Sequence, residues 1–348
     1  MSTPVLPSAP ERVPDAAGRP CLGTYQGDIQ EVRLEALLGM QRVPRWRLPF
    51  RRKAWVYALV TTPEAIVATA VVDLGYASHA FLTVVDLREK RAVLDFSAVG
   101  LPAPAARVNA HPGPGLNARF RAPGANFAFS RARTTGPLRC AVELHPWRTR
   151  GTGRVRLELR LSEEGAPPLA VVAAVPGGGI NVTRKSGALA SGLLSLGKRT
   201  IPLEGGVGGL DVTVGTPARA TAWRWAMGAG RLEDGRPVTL NLVEGVNEGP
   251  GENENAVWVA GVLHPLGRPR FGFAREDALG LWRLESETGD VALRFRPLHL
   301  HREERNLGLV KSRFWQLQGF FAGTVRAGKE ELTLVDFPGV TEVQEVRW

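Results

Sequence analysis

The side chains best suited to chemistry cluster between residues 221 and 258. In Thr221–Met227 the residues alternate so that Trp223, Trp225 and Met227 share one face of a strand, with Ala222, Arg224 and Ala226 on the other. Indoles on one face can wall a pocket for an apolar molecule or stabilise a cation. They can equally be plain core, since burying one removes about 200 Å² from water, worth about 5 kcal/mol. Trp258, on a neighbouring predicted strand, extends either surface. Opposite lies a polar group: Asn241 inside an apolar strand, then Glu244, Glu248, Glu252, Asn253, Glu254 and Asn255 around Gly249-Pro250-Gly251. Carboxyls beside aromatic walls are pushed towards neutrality by burial and by one another, and can then donate protons, whereas most acidic hairpin loops are simply solvated. Asn241 and Asn255 are amides on strands expected to be buried, so they must find partners, and the polar end of a ligand is one.

Other constellations fail on inspection. Gly192-Leu-Leu-Ser-Leu-Gly197-Lys198 has the Walker spacing up to its lysine, but Arg199 stands where Ser or Thr would hold magnesium, and no helical pattern follows to offer amides to phosphate. With no GxGxxG after a predicted strand and no GxSxG elbow, dinucleotide binding and serine hydrolysis lose their usual support. His299, His301 and Glu303 share a strand face and could bind a metal, yet the charged run His301-Arg302-Glu303-Glu304-Arg305 reads better as an outward polar stripe. Cys21 and Cys140 are the only cysteines, too few for a zinc tetrad, and nothing argues that they pair. No metal site and no cofactor are expected.

The 348 residues carry a formal net charge of +10, which invites polyanions. Position matters more than the total. Most arginines alternate with apolar residues, as Arg154, Arg156 and Arg160 do with Val155, Leu157, Leu159 and Leu161, and belong to the wet face of a strand. The exception is Arg42, Arg45, Arg47, Arg51, Arg52 and Lys53, interleaved with Trp46 and Phe50 just before the first apolar strand. Arg45, Arg47, Arg51 and Arg52 are the candidates for peripheral contact with an anionic membrane, and nucleic acid is the disfavoured partner. No apolar run approaches the roughly 18 residues that span a bilayer. Met1–Pro20 lacks the basic start and apolar stretch of a signal peptide, so a cytoplasmic location is expected.

The elements that must position these residues read as strands. Forty Gly and 26 Pro suit short strands and tight turns. From Ala54 onward apolar runs of strand length, such as Trp55–Val60, Ala65–Val72 and Ala80–Leu87, end in Pro, Gly or charged turns, and Asp234-Gly235 and Thr288-Gly289-Asp290 sit where hairpin turns belong. Only Glu31–Met40 has the spacing of a helix. The fold class is all-β: two consecutive antiparallel barrels or barrel-like sandwiches, closed because so many open strands would expose edges. Glycine density between Pro176 and Gly209 places a boundary near Gly209, giving a flexible tail over 1–20, a first domain over 21–209 and a second over 210–348.

At these residues the sequence resembles the bacterial family of domain of unknown function 2804. The resemblance is carried by Arg52-Lys53-Ala-Trp55-Val-Tyr57, Asp73-Leu-Gly-Tyr76, Asp211–Gly215, Thr221-Ala-Trp223-Arg-Trp225-Ala, Gly228-Ala-Gly230-Arg231, Asn241-Leu242 and Glu254-Asn255-Ala-Val-Trp258-Val-Ala-Gly261. It continues through Gly308-Leu-Val-Lys-Ser312, Gln318-Gly-Phe320, Gly323-Thr-Val325 and Gly339–Trp348, and so spans nearly the whole chain. That family is distantly similar to tandem-lipocalin proteins, among them carotenoid hydratases and AttH-type proteins, and the resemblance implies two calycin-like barrels. In the hydratases an acid protonates an isoprenoid double bond, and Asp211 is the position to compare with it. Thr216–Ala220 depart from the family pattern, and Gln344 stands where it has His.

Two function classes follow. In the first, a barrel pocket lined by Trp223, Trp225 and Trp258 binds a lipid or isoprenoid whose polar end is oriented by Asn241 and Asn255. In the second, an enzyme without cofactor, of hydratase or isomerase type, uses Asp211 or a carboxylate of the Glu252 and Glu254 pair, Glu254 foremost, to protonate an alkene while the indoles stabilise the cation.

Overall fold

The computed structural model describes residues 6–348 apart from 103–104, 134–135, 307 and 309. Its strands come in two kinds. Lys53–Thr61, Ala65–Asp73, Ser78–Asp86 and Gly206–Gly215 are buried along almost their whole length. An apolar run without alternation has no wet face and must be covered on both sides. Ala125–Ser130, Leu138–Leu144 and Val155–Ser162 alternate buried with exposed residues, and keep one face in water.

Both kinds join one antiparallel sheet, in the order Arg91–Gly100, Ser78–Asp86, Ala65–Asp73, Lys53–Thr61, Gly206–Gly215, Ile180–Leu196, Val155–Ser162, Leu138–Leu144, Ala125–Ser130, Asn117–Ala122 and Ala106–Val108, with shorter strands branching from it. The ends of this path curl towards each other. Val108 donates its N–H to Asp73 at 3.2 Å, and Gly100 packs on the Phe120 ring. Phe96, Phe120, Phe127, Leu159 and Val212 fill the interior of this nearly closed barrel.

The second sheet runs Val262–Pro265, Ala256–Val259, Pro237–Glu244, Ala220–Arg231, Glu330–Arg347, Lys311–Ala327, Val291–Asn306, Trp282–Ser286 and Pro269–Gly272. It is a half-barrel curled round Trp282, Phe295, Phe321 and Phe337. Gly235 and Gly289, at the two anticipated hairpin turns, have φ of +85° and +68°, where a side chain would be strained.

The half-barrel packs on the outer face of the doubly covered strands. Tyr57, Leu59 and Phe81 meet Trp225, Met227 and Val340 there in an apolar layer of its own. Close approach depends on two glycines: a Cβ on Gly209 would lie 2.5 Å from the Met227 sulfur, and one on Gly187 would lie 3.0 Å from the Thr239 hydroxyl.

Three sequence expectations need correcting. The chain crosses between sheets at 216–219, so Gly209 lies within a strand rather than between domains; its glycines serve packing, not a linker. No helix forms over 31–40: Glu31–Val32 pairs with Arg12–Val13, and 3₁₀ turns at Leu34–Ala36 and Gly39–Gln41 follow, because Val32, Leu34 and Leu37 are each needed in the first core. Of the expected tail, residues 1–5 lie outside the described residues, but Val13 is fully buried and Ser8 bridges to Gln26, so 6–20 is part of the fold. Cys21 and Cys140 are both free thiols. Among the described residues no helix is long and apolar enough to cross a membrane.

Candidate functional site

A cavity of about 450 Å³ lies between the two sheets. Strand alternation decides which side chains reach it. On Ile180–Leu196, Val182 enters the first barrel's core, so Thr183 and Lys185 face the second sheet; on Gly206–Gly215, Leu210 and Val212 point in, and Asp211 and Thr213 point out. Register then aligns one row on each sheet. Lys185, Asp211, Tyr57, Ala70 and Phe81 are successive cross-strand partners on the first. Val243, Trp225, Glu342, Gln316 and His301 are successive partners on the second. Facing each other, the rows make a chamber with aromatic walls and charges at one end.

The walls are ordered by ring contacts. Trp55 and Trp223 stack at 5.9 Å across the cavity, and Tyr57 meets the Trp225 ring edge-on at 4.9 Å. Phe81 and Phe314, 5.8 Å apart, continue the wall towards the far end.

The charged end is built on Lys185, which binds Asp211 Oδ1 at 2.7 Å and Glu254 Oε2 at 3.2 Å. Asp211 also accepts from the Trp55 indole N–H at 3.4 Å and from the Thr213 hydroxyl at 3.4 Å. The Asn247 amide donates to the other oxygen of Glu254. Glu342 stands apart from the lysine and accepts from Trp223 Nε1 at 2.9 Å and Gln316 Nε2 at 3.0 Å. One ammonium therefore faces three buried carboxyls.

The pKa shifts follow from that imbalance. Burial opposes the Lys185 charge, but Asp211 and Glu254 outweigh it and hold the ammonium above its usual value. Burial pushes the Glu342 carboxyl up to about 7, with the charge of Asp211 adding to the rise against the two hydrogen bonds it accepts. Burial also raises Glu254. Tyr57 is raised well above its ordinary value by burial and by the negative charge of Glu342 and Asp211. Its hydroxyl is buried on the cavity wall and has no hydrogen-bond partner among the described residues, and neither has Asn181 Oδ1 nearby.

Of the residues expected to bind ligand, Trp223 and Trp225 line the cavity, as do Asp211 and Glu254, expected as acids. Trp258 does not line it: its indole donates to the Pro167 carbonyl at 2.8 Å and packs with Leu169 and Val171, bonding the sheets elsewhere. Asn241 accepts from Trp225 Nε1 at 2.8 Å, and so fixes the indole rather than a ligand. Asn255 accepts from the Val243 N–H at 2.7 Å and caps a loop. The stripe of His299, His301 and Glu303 does not face solvent. His299 and His301 hold Asp95, and Glu303 holds His79, so the stripe clasps the second sheet to the first. Among the described residues no group of three or more His, Cys, Asp or Glu is arranged to hold a metal ion. Of the basic candidates, Arg45 and Arg47 are exposed, whereas Arg51 donates to the Gly178 carbonyl and Arg52 pairs with Asp73.

The profile of domain of unknown function 2804 matches residues 8–348. The chain belongs to this family. No curated protein matches it. Among solved structures it is similar to CghA, determined with Sch210972, at 13% identity and a TM-score of 0.54 over 94% of this chain and 99% of that one. It also matches an AttH-type protein from Nitrosomonas europaea (14% identity, TM-score 0.44, 84% and 92% covered) and kievitone hydratase from Nectria haematococca (12% identity, TM-score 0.42, 99% and 98% covered). The likeness to CghA is one of fold, and it covers both sheets of this family member.

Sequence reasoning does not single out Trp55, Tyr57, Lys185 or Glu342. Their common signal is weak but physical. Lys185 and Glu342 place a charge, and Tyr57 a hydroxyl, at positions on strands that are otherwise covered on both faces.

Proposed function

We propose that the cavity between the sheets binds an apolar small molecule of lipid or isoprenoid type that carries one polar group. The observation that carries this reading is the unpartnered Tyr57 hydroxyl, buried among aromatic walls next to Glu342 and Asp211. A buried hydroxyl without a partner costs about 1–3 kcal/mol, which a ligand oxygen accepting from it recovers. The volume of about 450 Å³ lies within the range of small-molecule sites. Native mass spectrometry with organic extraction, on protein purified from its own host, tests the reading. A stoichiometric hydrophobic adduct that is weakened in Tyr57→Phe and Trp223→Ala supports it; repeated apo masses, together with no saturable uptake of an anilinonaphthalene sulfonate probe, would overturn it.

The Glu342 carboxyl supports a second reading, an enzyme that needs no cofactor. A carboxyl poised at about 7 holds its proton for part of the time at neutral pH and can give it up. In the hydration of an isoprenoid-like alkene, the Glu342 proton goes to one alkene carbon and leaves a cation on the other, facing Trp223 and Trp225. Water adds to that carbon, and its released proton returns to the Glu342 carboxylate, so the sum is alkene plus water. Loss of a neighbouring proton to the same carboxylate gives isomerisation instead. Asp211 and Glu254 are less suited to donate, because Lys185 holds both. Turnover of the extracted ligand by wild type but not by Glu342→Gln tests this reading, and equal turnover by both would end it.

A further inference from the structure

We infer that the segment 38–50 docks the protein on an anionic phospholipid bilayer, with the mouth of the cavity beside the lipid. Four large apolar side chains stand out of this segment: Leu38, Met40, Trp46 and Phe50, exposed to 58%, 91%, 69% and 64%. Between them Arg42, Arg45 and Arg47 are exposed and make no ion pair among the described residues, and no acidic residue occurs from 36 to 63. Arg47 lies over the Trp46 ring at 4.6 Å, an arrangement in which the indole stays open to an apolar phase and the guanidinium to phosphate. Apolar side chains ringed by arginines have no use for water, and they match the interfacial layer of an anionic membrane in both apolar depth and charge.

The remaining basic residues explain why this patch is held in place. Arg51 donates to the Gly178 and Thr216 carbonyls at 2.9 and 3.3 Å, Arg52 pairs with Asp73 at 3.0 Å, and Lys53 donates to the Leu74 carbonyl at 3.0 Å. These contacts fix the segment to Leu74 and to Thr216, the neighbour of Pro217, and Lys53 lies over both the Tyr76 and the Trp348 rings; Leu74, Tyr76, Pro217 and Trp348 all line the cavity. Val99, another lining residue at this end, is itself 48% exposed. Docking through Met40, Trp46 and Phe50 therefore brings the cavity entrance to the lipid surface. An apolar molecule could then pass between bilayer and protein with little exposure to water. A nucleic acid would use the arginines but not the four apolar side chains.

Co-sedimentation with phosphatidylcholine vesicles, with and without phosphatidylglycerol, tests the inference on the full chain. Wild type should bind only the anionic vesicles, more weakly as salt rises. The triple variant R42Q/R45Q/R47Q should lose about a hundredfold in affinity, at roughly a factor of five per arginine. Trp46→Ser with Phe50→Ser should also abolish sedimentation, and because both residues are exposed the thermal midpoint should stay unchanged. Tyr57→Phe, inside the cavity, should bind vesicles like wild type, which separates docking from ligand uptake. Folded wild type that ignores anionic vesicles would overturn the inference. So would binding that survives the Trp46 and Phe50 substitutions, or duplex DNA outcompeting the vesicles through the same arginines.

Discussion

Replacing Glu342 by Gln removes a buried titration and little else. The carboxyl has an ordinary value of 4.5 and is pushed to about 7 in the fold, chiefly by burial. An acid raised in this way holds its proton longer folded than unfolded. Below pH 4.5 both states are protonated and the group is neutral to stability. Between 4.5 and 7 the unfolded chain ionises first, so stability falls as pH rises, and above 7 the loss is complete and constant. Its size is about 3 kcal/mol. The substitution keeps the shape, and the hydrogen bonds can be kept as well. Gln316 Oε1 is buried without a partner among the described residues, so turning over that amide lets it accept from the new side-chain NH₂ while Trp223 continues to donate to the remaining oxygen. Glu342→Gln should therefore match wild type at pH 4.5 and exceed it by about 3 kcal/mol at pH 8, or by about 4 °C in Tm for a chain of this length. Urea unfolding of both proteins at the two pH values measures this difference. A gap between them that stays constant from pH 4.5 to 8 would refute the assignment of Glu342 as the group that titrates near neutrality.

Lys185→Met should destabilise by about 3–5 kcal/mol, because it strands Asp211 and Glu254 as buried carboxylates; adding Asp211→Asn and Glu254→Gln should recover most of that loss in the same denaturation assay. Gly209→Val should cost about 1–3 kcal/mol through its collision with the Met227 sulfur, and Met227→Ala should relieve it in a double-mutant cycle. Burial opposes the His301 charge, yet Asp95 and Glu303 hold its pKa at about 9 against an ordinary 6.5; its contribution is therefore complete below pH 6.5 and lost as pH rises through about 9, a fall on the order of 3 kcal/mol that His301→Gln should flatten. Trp258→Phe should lower stability by about 1 kcal/mol through the lost bond to Pro167 but leave binding of the anilinonaphthalene sulfonate probe unchanged, whereas Trp223→Ala should weaken it.

The β class is legible because each strand carries its own signal. Val155–Ser162 alternates over its whole length, and Asp234-Gly235 marks a turn that a φ of +85° requires. The helical spacing of Glu31–Met40 misleads because Val32, Leu34 and Leu37 are spaced for a helix yet serve an irregular segment that covers the first core. The position of the sheet crossover is obscured for a related reason. Gly206–Gly215 carries the glycines of a linker, but Gly209 is there so that Met227 and Thr239 can approach the backbone from the other sheet, and Gly206, Gly208 and Gly215 pack against their own sheet.

The site is only half legible, and the missing half is the one that depends on distant pairing. Trp223, Trp225 and Glu254 fall within one stretch of sequence, so they can be found together. Lys185, Tyr57 and Glu342 come from three other strands and meet only because Lys185 lies opposite Asp211, Asp211 opposite Tyr57, and Glu342 opposite Trp225. Read alone, Lys185 beside Arg184 and Ser186, and Glu342 between Thr341 and Val343, are unremarkable charges, each costing several kcal/mol to bury unpaired. Across the sheets Lys185 meets Asp211 and Glu254 while Glu342 stands apart from it, so that one ammonium faces three buried carboxyls at the end of an aromatic chamber. On the proposed reading, the Glu342 carboxyl, raised to about 7 by burial, is the group that lets the chamber bind or change a ligand that its walls alone would only enclose.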